Sequence, residues 1–95
     1  MIKVVATLIS KANKVDETKA ALSSLVEPTR AEEGCISYEL FQQNDDPTRF
    51  VTVEEFVDDA AVDAHLGTAH IAAALAAAPE ILAADPQILR YSLVK

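Results

Sequence analysis

The hydrophobic positions of this chain switch repeatedly between a strand period and a helix period. Residues 2–9, IKVVATLI, are nearly all apolar and rich in β-branched side chains, which predicts a strand. After the polar SKANK, the positions Val15, Thr18, Leu22, Leu25, Val26 and Thr29 share one helical face, predicting a helix from 15 to about 33. Asp16 and Glu17 suit the positive end of its dipole. Pro28 lies inside that pattern and predicts a kink there, with Gly34 as the stop. CISYELFQQ (35–43) and TRFVTVEEFV (48–57) read as strands joined by the turn NDDP, hence a hairpin. Asp58 caps a helix over DDAAVDAHL. Gly67 and Thr68 then stop it and start another, AHIAAALAAA, which Pro79 is expected to end. EILAADP reads as a turn or short helix, and residues 87–95 as the last strand.

The order is β-α-β-β-α-β with a broken second helical segment. That is an α+β chain of ferredoxin-like, split-βαβ type, one domain over residues 1–95. Both parities of the strands carry apolar groups. Ile36, Tyr38 and Leu40 are expected on one side of the second strand and Phe41 on the other. In the third strand, Phe50 and Phe56 oppose Val51, Val53 and Val57. Helices can cover only one sheet face, so the other predicts an interface, a homodimer made by stacking two sheets.

Charge narrows the partners. Eight Lys and Arg face 15 Asp and Glu, a formal net charge of −7, which argues against nucleic acid and anionic membrane surfaces. Cys35, the one cysteine, reads as a reduced, buried thiol. The apolar N-terminus lacks a basic region and a cleavage pattern and is too short for a bilayer, so it reads as a strand of a cytoplasmic protein.

Both histidines lie in HLGTAH, residues 65–70. A spacing of five puts them roughly 140° apart on an ideal helix, and Gly67-Thr68 breaks the helix between them. With no second cysteine or third histidine, the spacing predicts diverging imidazoles and no zinc site. His65 follows Val62 by three and borders an apolar stripe that reaches a sheet-side pocket. His70 falls in the first turn of the next helix and reads equally as a capping residue.

Residues 27–75 resemble the antibiotic biosynthesis monooxygenase (ABM) family, in particular its small quinol-monooxygenase-like members. The resemblance rests on RAEEGCISYEL, DDPTRF, VEEF and AHLGTAH, in that order and spacing, and the flanking strands extend it over nearly the whole chain. It implies a dimeric α/β barrel with a pocket between sheet and helices. It also implies oxidation of a small quinol or polyphenolic aromatic by O₂, with no metal, flavin or haem as cofactor. In such a reaction the deprotonated substrate is itself the electron donor. The protein supplies a base, a dry cavity and hydrogen-bond donors.

Glu54, sharing a parity with Phe50, Thr52 and Phe56, or else His65, is then the candidate base for the phenolic proton. Tyr38, Thr52, Phe56 and His70 are candidate substrate-binding residues. Glu54 reads alternatively as paired with Arg30 or another cation, or as sitting at a wet rim, and Arg30 itself as closing an ion pair at its helix end. Many relatives carry Trp at the position of Phe56, and Phe keeps the apolar wall without the indole N–H. The alternative reading of the whole chain is a non-catalytic, small-molecule-binding or stress-related dimeric α/β-barrel protein. Haem degradation, which other proteins of this fold perform with a first-strand Asn, a Trp and a helix His, fits poorly: the first strand has no Asn and the chain no Trp.

Overall fold

A computed structural model describes residues 1–95. Its elements are β1 (Ile2–Ile9), α1 (Val15–Ser23), α2 (Val26–Arg30), β2 (Cys35–Gln42), β3 (Arg49–Phe56), α3 (Asp59–Leu66), α4 (Ala69–Ile81) and β4 (Gln87–Tyr91). The strands form one sheet in the order β2-β3-β1-β4, and every neighbouring pair is antiparallel. This is the α+β, ferredoxin-like arrangement that the element order predicts.

β3 shows the alternation most clearly. Phe50, Thr52, Glu54 and Phe56 are buried under the helices, and the residues between them are only half-buried. Two apolar clusters form on that face. Leu22, Leu25, Phe50 and Ile71 make one, and Val4, Phe56 and Val62 the other. Thr18 on α1 is fully buried, its hydroxyl bonded to that of Ser10 at 2.8 Å, so a polar position on the helix face is satisfied internally.

Four local departures have physical causes. The helix predicted from 15 to 33 is two helices, and it breaks at Ser24–Leu25 rather than at Pro28. Proline has no N–H for the carbonyl four residues earlier, which belongs to Ser24, so the interruption appears one turn upstream. In α2, Pro28 then occupies the first turn, where its missing donor costs little. Pro79 does not end α4, which runs through it to Ile81. The carbonyl it leaves unserved is that of Leu75, a residue that is 47% exposed. The last strand stops at Tyr91, short of residue 95, because Tyr91 pairs with Lys3 and β1 offers almost no partner strand beyond it.

The fourth departure is a bulge in β2. Cys35 pairs with Phe56 and Ser37 with Glu55, so Ile36 is an extra residue. It is 52% exposed and does not share the Tyr38 face, contrary to simple alternation. Cys35 takes the inner position beside Phe56 and is partly buried, not fully.

Gly34 precedes this bulge. A Cβ there would overlap that of Ala61, where β2 begins beneath α3. Glycine is needed for close approach, not for a left-handed backbone. Gly34→Ala is expected to cost about 1–3 kcal/mol by overpacking, a fall in Tm of the order of 5–20 °C by calorimetry.

Candidate functional site

A cavity lies between the sheet and the helices. Sixteen of its 20 lining residues are hydrophobic, contributed by all four strands' inner face and by α1, α3 and α4. Three ionisable or strongly polar side chains reach it besides the Tyr38 phenol: Thr52, Glu54 and His65. Pairing explains their convergence. Glu54 on β3 lies directly opposite Tyr38 on β2 and Val4 on β1. Thr52 is two residues earlier on the same face. His65 enters from α3, a helix fixed at its start by the Asp58 carboxylate, which accepts from the Ala61 N–H at 2.8 Å.

Glu54 is 3% exposed. The Thr52 hydroxyl donates to its Oε2 at 2.7 Å, and its Oε1 is buried with no hydrogen-bond partner. Burial pushes this carboxyl above its ordinary range, and the Glu32 charge adds to that. The Thr52 hydrogen bond and the neighbouring His65 oppose it. The Tyr38 phenol is raised well above the usual phenol range, first by burial and then by the Glu54 charge, so it remains a neutral hydrogen-bond donor. The Cys35 thiol is raised by burial and by Glu32 and Glu54, which leaves it a poor nucleophile.

His65 sits in the middle of a chain of carboxylates. Its Nε2 lies 3.6 Å from Glu54 Oε1, and its Nδ1 lies 2.9 Å from Glu32 Oε2. The same Glu32 oxygen is 2.7 Å from His70 Nε2. The rings of Phe56 and Tyr38 flank the imidazole, with centroids 5.0 and 5.9 Å away. The two histidines therefore do not diverge. Gly67 and Thr68 reorient α4, so the phase of a single ideal helix does not apply, and both rings turn onto one carboxylate. Thr68 holds the break, donating to the His65 carbonyl at 2.8 Å.

Glu32, His65 and His70 each bring a donor atom within 4.8 Å of the others, a set that one divalent cation could reach. The separations of 2.7 and 2.9 Å are those of hydrogen bonds. Donors sharing a tetrahedral zinc at about 2.0–2.1 Å sit roughly 3.3 Å apart.

Of the candidate residues, the structure brings Tyr38, Thr52, Glu54 and His65 together on the cavity wall. Phe56 and His70 do not line it. Phe56 is 0% exposed and sealed between Val4 and Val62, because the strand end lies beneath α3. It supports the His65 ring from behind. His70 reaches the site only through Glu32. Arg30 does not pair with Glu54. It bonds Glu27 at 3.0 Å near the end of α2, as its helix-end position suggests, and donates to the Tyr38 carbonyl at 3.0 Å. Glu32 was not singled out by the sequence. It lies in a loop with no periodicity, 33 residues from His65, and its only signal is its place in RAEEGC.

An inward carboxylate and imidazole thus meet in an apolar cavity of a ferredoxin-like α+β fold. The comparisons with known proteins make this specific. The family described as antibiotic biosynthesis monooxygenase matches residues 1–77, and the chain belongs to that family. It is 36% identical over 93 residues to the candidate monooxygenase YcnE of Bacillus subtilis (strain 168), covering 98% of each chain. A crystal structure of an antibiotic biosynthesis monooxygenase superposes with a TM-score of 0.93 at 33% identity, over 100% of both chains. Protein SO0527 from Shewanella oneidensis superposes with a TM-score of 0.89 at 40% identity, over 95% of this chain and 87% of that one. No helix is long and apolar enough to cross a membrane.

Proposed function

We propose that this protein is a monooxygenase for a small quinol or related polyphenol, using O₂ and drawing every electron from the substrate. The observation that carries the reading is the Glu54 carboxylate, held by Thr52 with its second oxygen unpartnered inside an apolar cavity. Such an oxygen is poised to take a hydroxyl proton. The resulting quinolate is electron-rich and transfers an electron to O₂. The two radicals join in a C–O bond, giving a ring peroxide anion that takes back the substrate proton as the hydroperoxide. The O–O bond then breaks as the ring C–H proton is lost, leaving a carbonyl, and that proton converts the departing hydroxide to water. Overall, one quinol and one O₂ give one hydroxyquinone and one water. The substrate supplies four electrons, and no external reductant enters. Tyr38 and Thr52 offer hydroxyls to the substrate oxygens, and the apolar wall excludes water.

The test is O₂ consumption by EDTA-treated protein across a panel of quinols. Uptake well above autoxidation is expected. Ligand-induced thermal stabilisation with no uptake from any quinol would instead make the chain a binding protein.

The outer sheet face supports a homodimer as part of this proposal. Ile36, Phe41, Leu89 and Tyr91 are 44–52% exposed there, alongside the half-buried Val5, Val51 and Val53. Light scattering at micromolar concentration is expected to give about twice the 10.2 kDa chain mass. A 10.2 kDa particle would remove the dimer from the account.

A further inference from the structure

We infer that Glu32 is the proton reservoir of the site, reached from Glu54 through His65, with His70 as its positioning residue. The inference rests on Glu54 being the base. Two requirements of the chemistry motivate it. A base that keeps the substrate's proton beside the newly formed quinolate invites its immediate return. Yet the same proton is needed later, when the ring peroxide anion forms.

The geometry meets both requirements. Glu54 Oε1 and His65 Nε2 are 3.6 Å apart, just outside hydrogen-bond reach. On the other side, His65 Nδ1 lies 3.0 and 2.9 Å from the two Glu32 oxygens. Distances this short require a proton on Nδ1 when Glu32 is ionised. In the neutral ring the hydrogen then lies toward Glu32 and the lone pair toward Glu54.

A proton arriving on Glu54 Oε1 closes the gap and passes to His65 Nε2. The Nδ1 proton moves to Glu32, so the ring gains one proton and loses one. His70 Nε2 donates to Glu32 Oε2 at 2.7 Å, which holds that oxygen and leaves Oε1 free to take the proton. Reversal of the two transfers returns the proton to the ring peroxide anion. Side-chain exposure rises along the path, from 4% at Glu54 and His65 to 16% at Glu32 and 24% at His70. Glu32 thus sits outside the dry cavity, nearer solvent than the base it would relieve.

The test uses the full chain. Glu32→Gln keeps a hydrogen-bond acceptor but cannot hold the proton. It is expected to lower kcat for quinol oxidation at least tenfold, with KM within twofold. His70→Ala should lose a similar factor, and His70→Gln, which keeps an N–H donor, should recover most of it. If wild-type protein turns over and Glu32→Gln keeps kcat within twofold, the reservoir is wrong and the monooxygenase reading stands. A second measurement needs no turnover. In wild-type protein with ¹⁵N-labelled histidine, long-range ¹H–¹⁵N spectra at neutral pH should show His65 with a bare Nε2 and a proton on Nδ1. A proton on Nε2 would overturn the relay even if the protein consumed no O₂.

Discussion

Glu54→Gln is expected to lower kcat for quinol oxidation about 10²–10⁴-fold, the usual contribution of a positioned general base. The amide matches the carboxylate in shape, so the Thr52 hydrogen bond and the cavity should survive. The same substitution should stabilise the fold at neutral pH, and the sign follows from the direction of the shift. Burial raises the folded-state pKa of Glu54 above its ordinary 4.5. Such a group contributes stability that is fully present below the unfolded value and lost as pH rises through the folded value. Gln carries no such penalty. The Tm of Glu54→Gln should therefore exceed that of wild type at pH 7–8, with the difference shrinking as pH falls to about 4. In wild type, kcat/KM should climb with pH on a single limb lying above 4.5. A Gln variant with lost activity and a lower Tm at neutral pH would point to damage to the fold, not to loss of a base.

Phe56→Ala is expected to give the largest loss of stability. The ring is fully buried between Val4 and Val62 at the centre of a three-residue cluster and backs the His65 imidazole. Removing a buried Phe ring costs about 3–5 kcal/mol. In a chain of this size that is a fall in Tm of the order of 12–40 °C, readable by calorimetry. The family resemblance implies Trp at this place, but Phe56 presents no surface to the cavity. Phe56→Trp should therefore add no catalytic power and cost about 1–3 kcal/mol by overpacking. An increase in kcat on introducing Trp would show that the ring position reaches substrate after all.

Much of the fold could be read from residue patterns because the strands are strongly marked. The alternation of Phe50, Thr52, Glu54 and Phe56 fixes both the inner face of β3 and the direction of its carboxylate. The β-branched run at residues 2–9 and the turn at 44–47 do the same for β1 and the hairpin. The errors fall where one residue acts on a neighbour. Pro28 breaks the helix at Ser24, whose carbonyl it cannot serve. The extra residue Ile36 reverses the facing of everything before it in β2. In the site, Glu54, Thr52 and Tyr38 were legible from strand parity, and His65 from its place three residues after Val62. The link between the histidines was not. Helical phase describes only a continuous helix, and the break at Gly67-Thr68 turns His70 back toward His65. Glu32 was hidden for a different reason: loop positions carry no period, and its partners lie 33 and 38 residues away.

The most direct test of the central claim is the fate of labelled oxygen. EDTA-treated protein should be supplied with a quinol under ¹⁸O₂ in unlabelled water. Mass spectrometry should find one ¹⁸O in each hydroxyquinone and the other in water, with no external reductant present. Unlabelled quinone accompanied by hydrogen peroxide, or no oxygen consumption at all, would contradict the account.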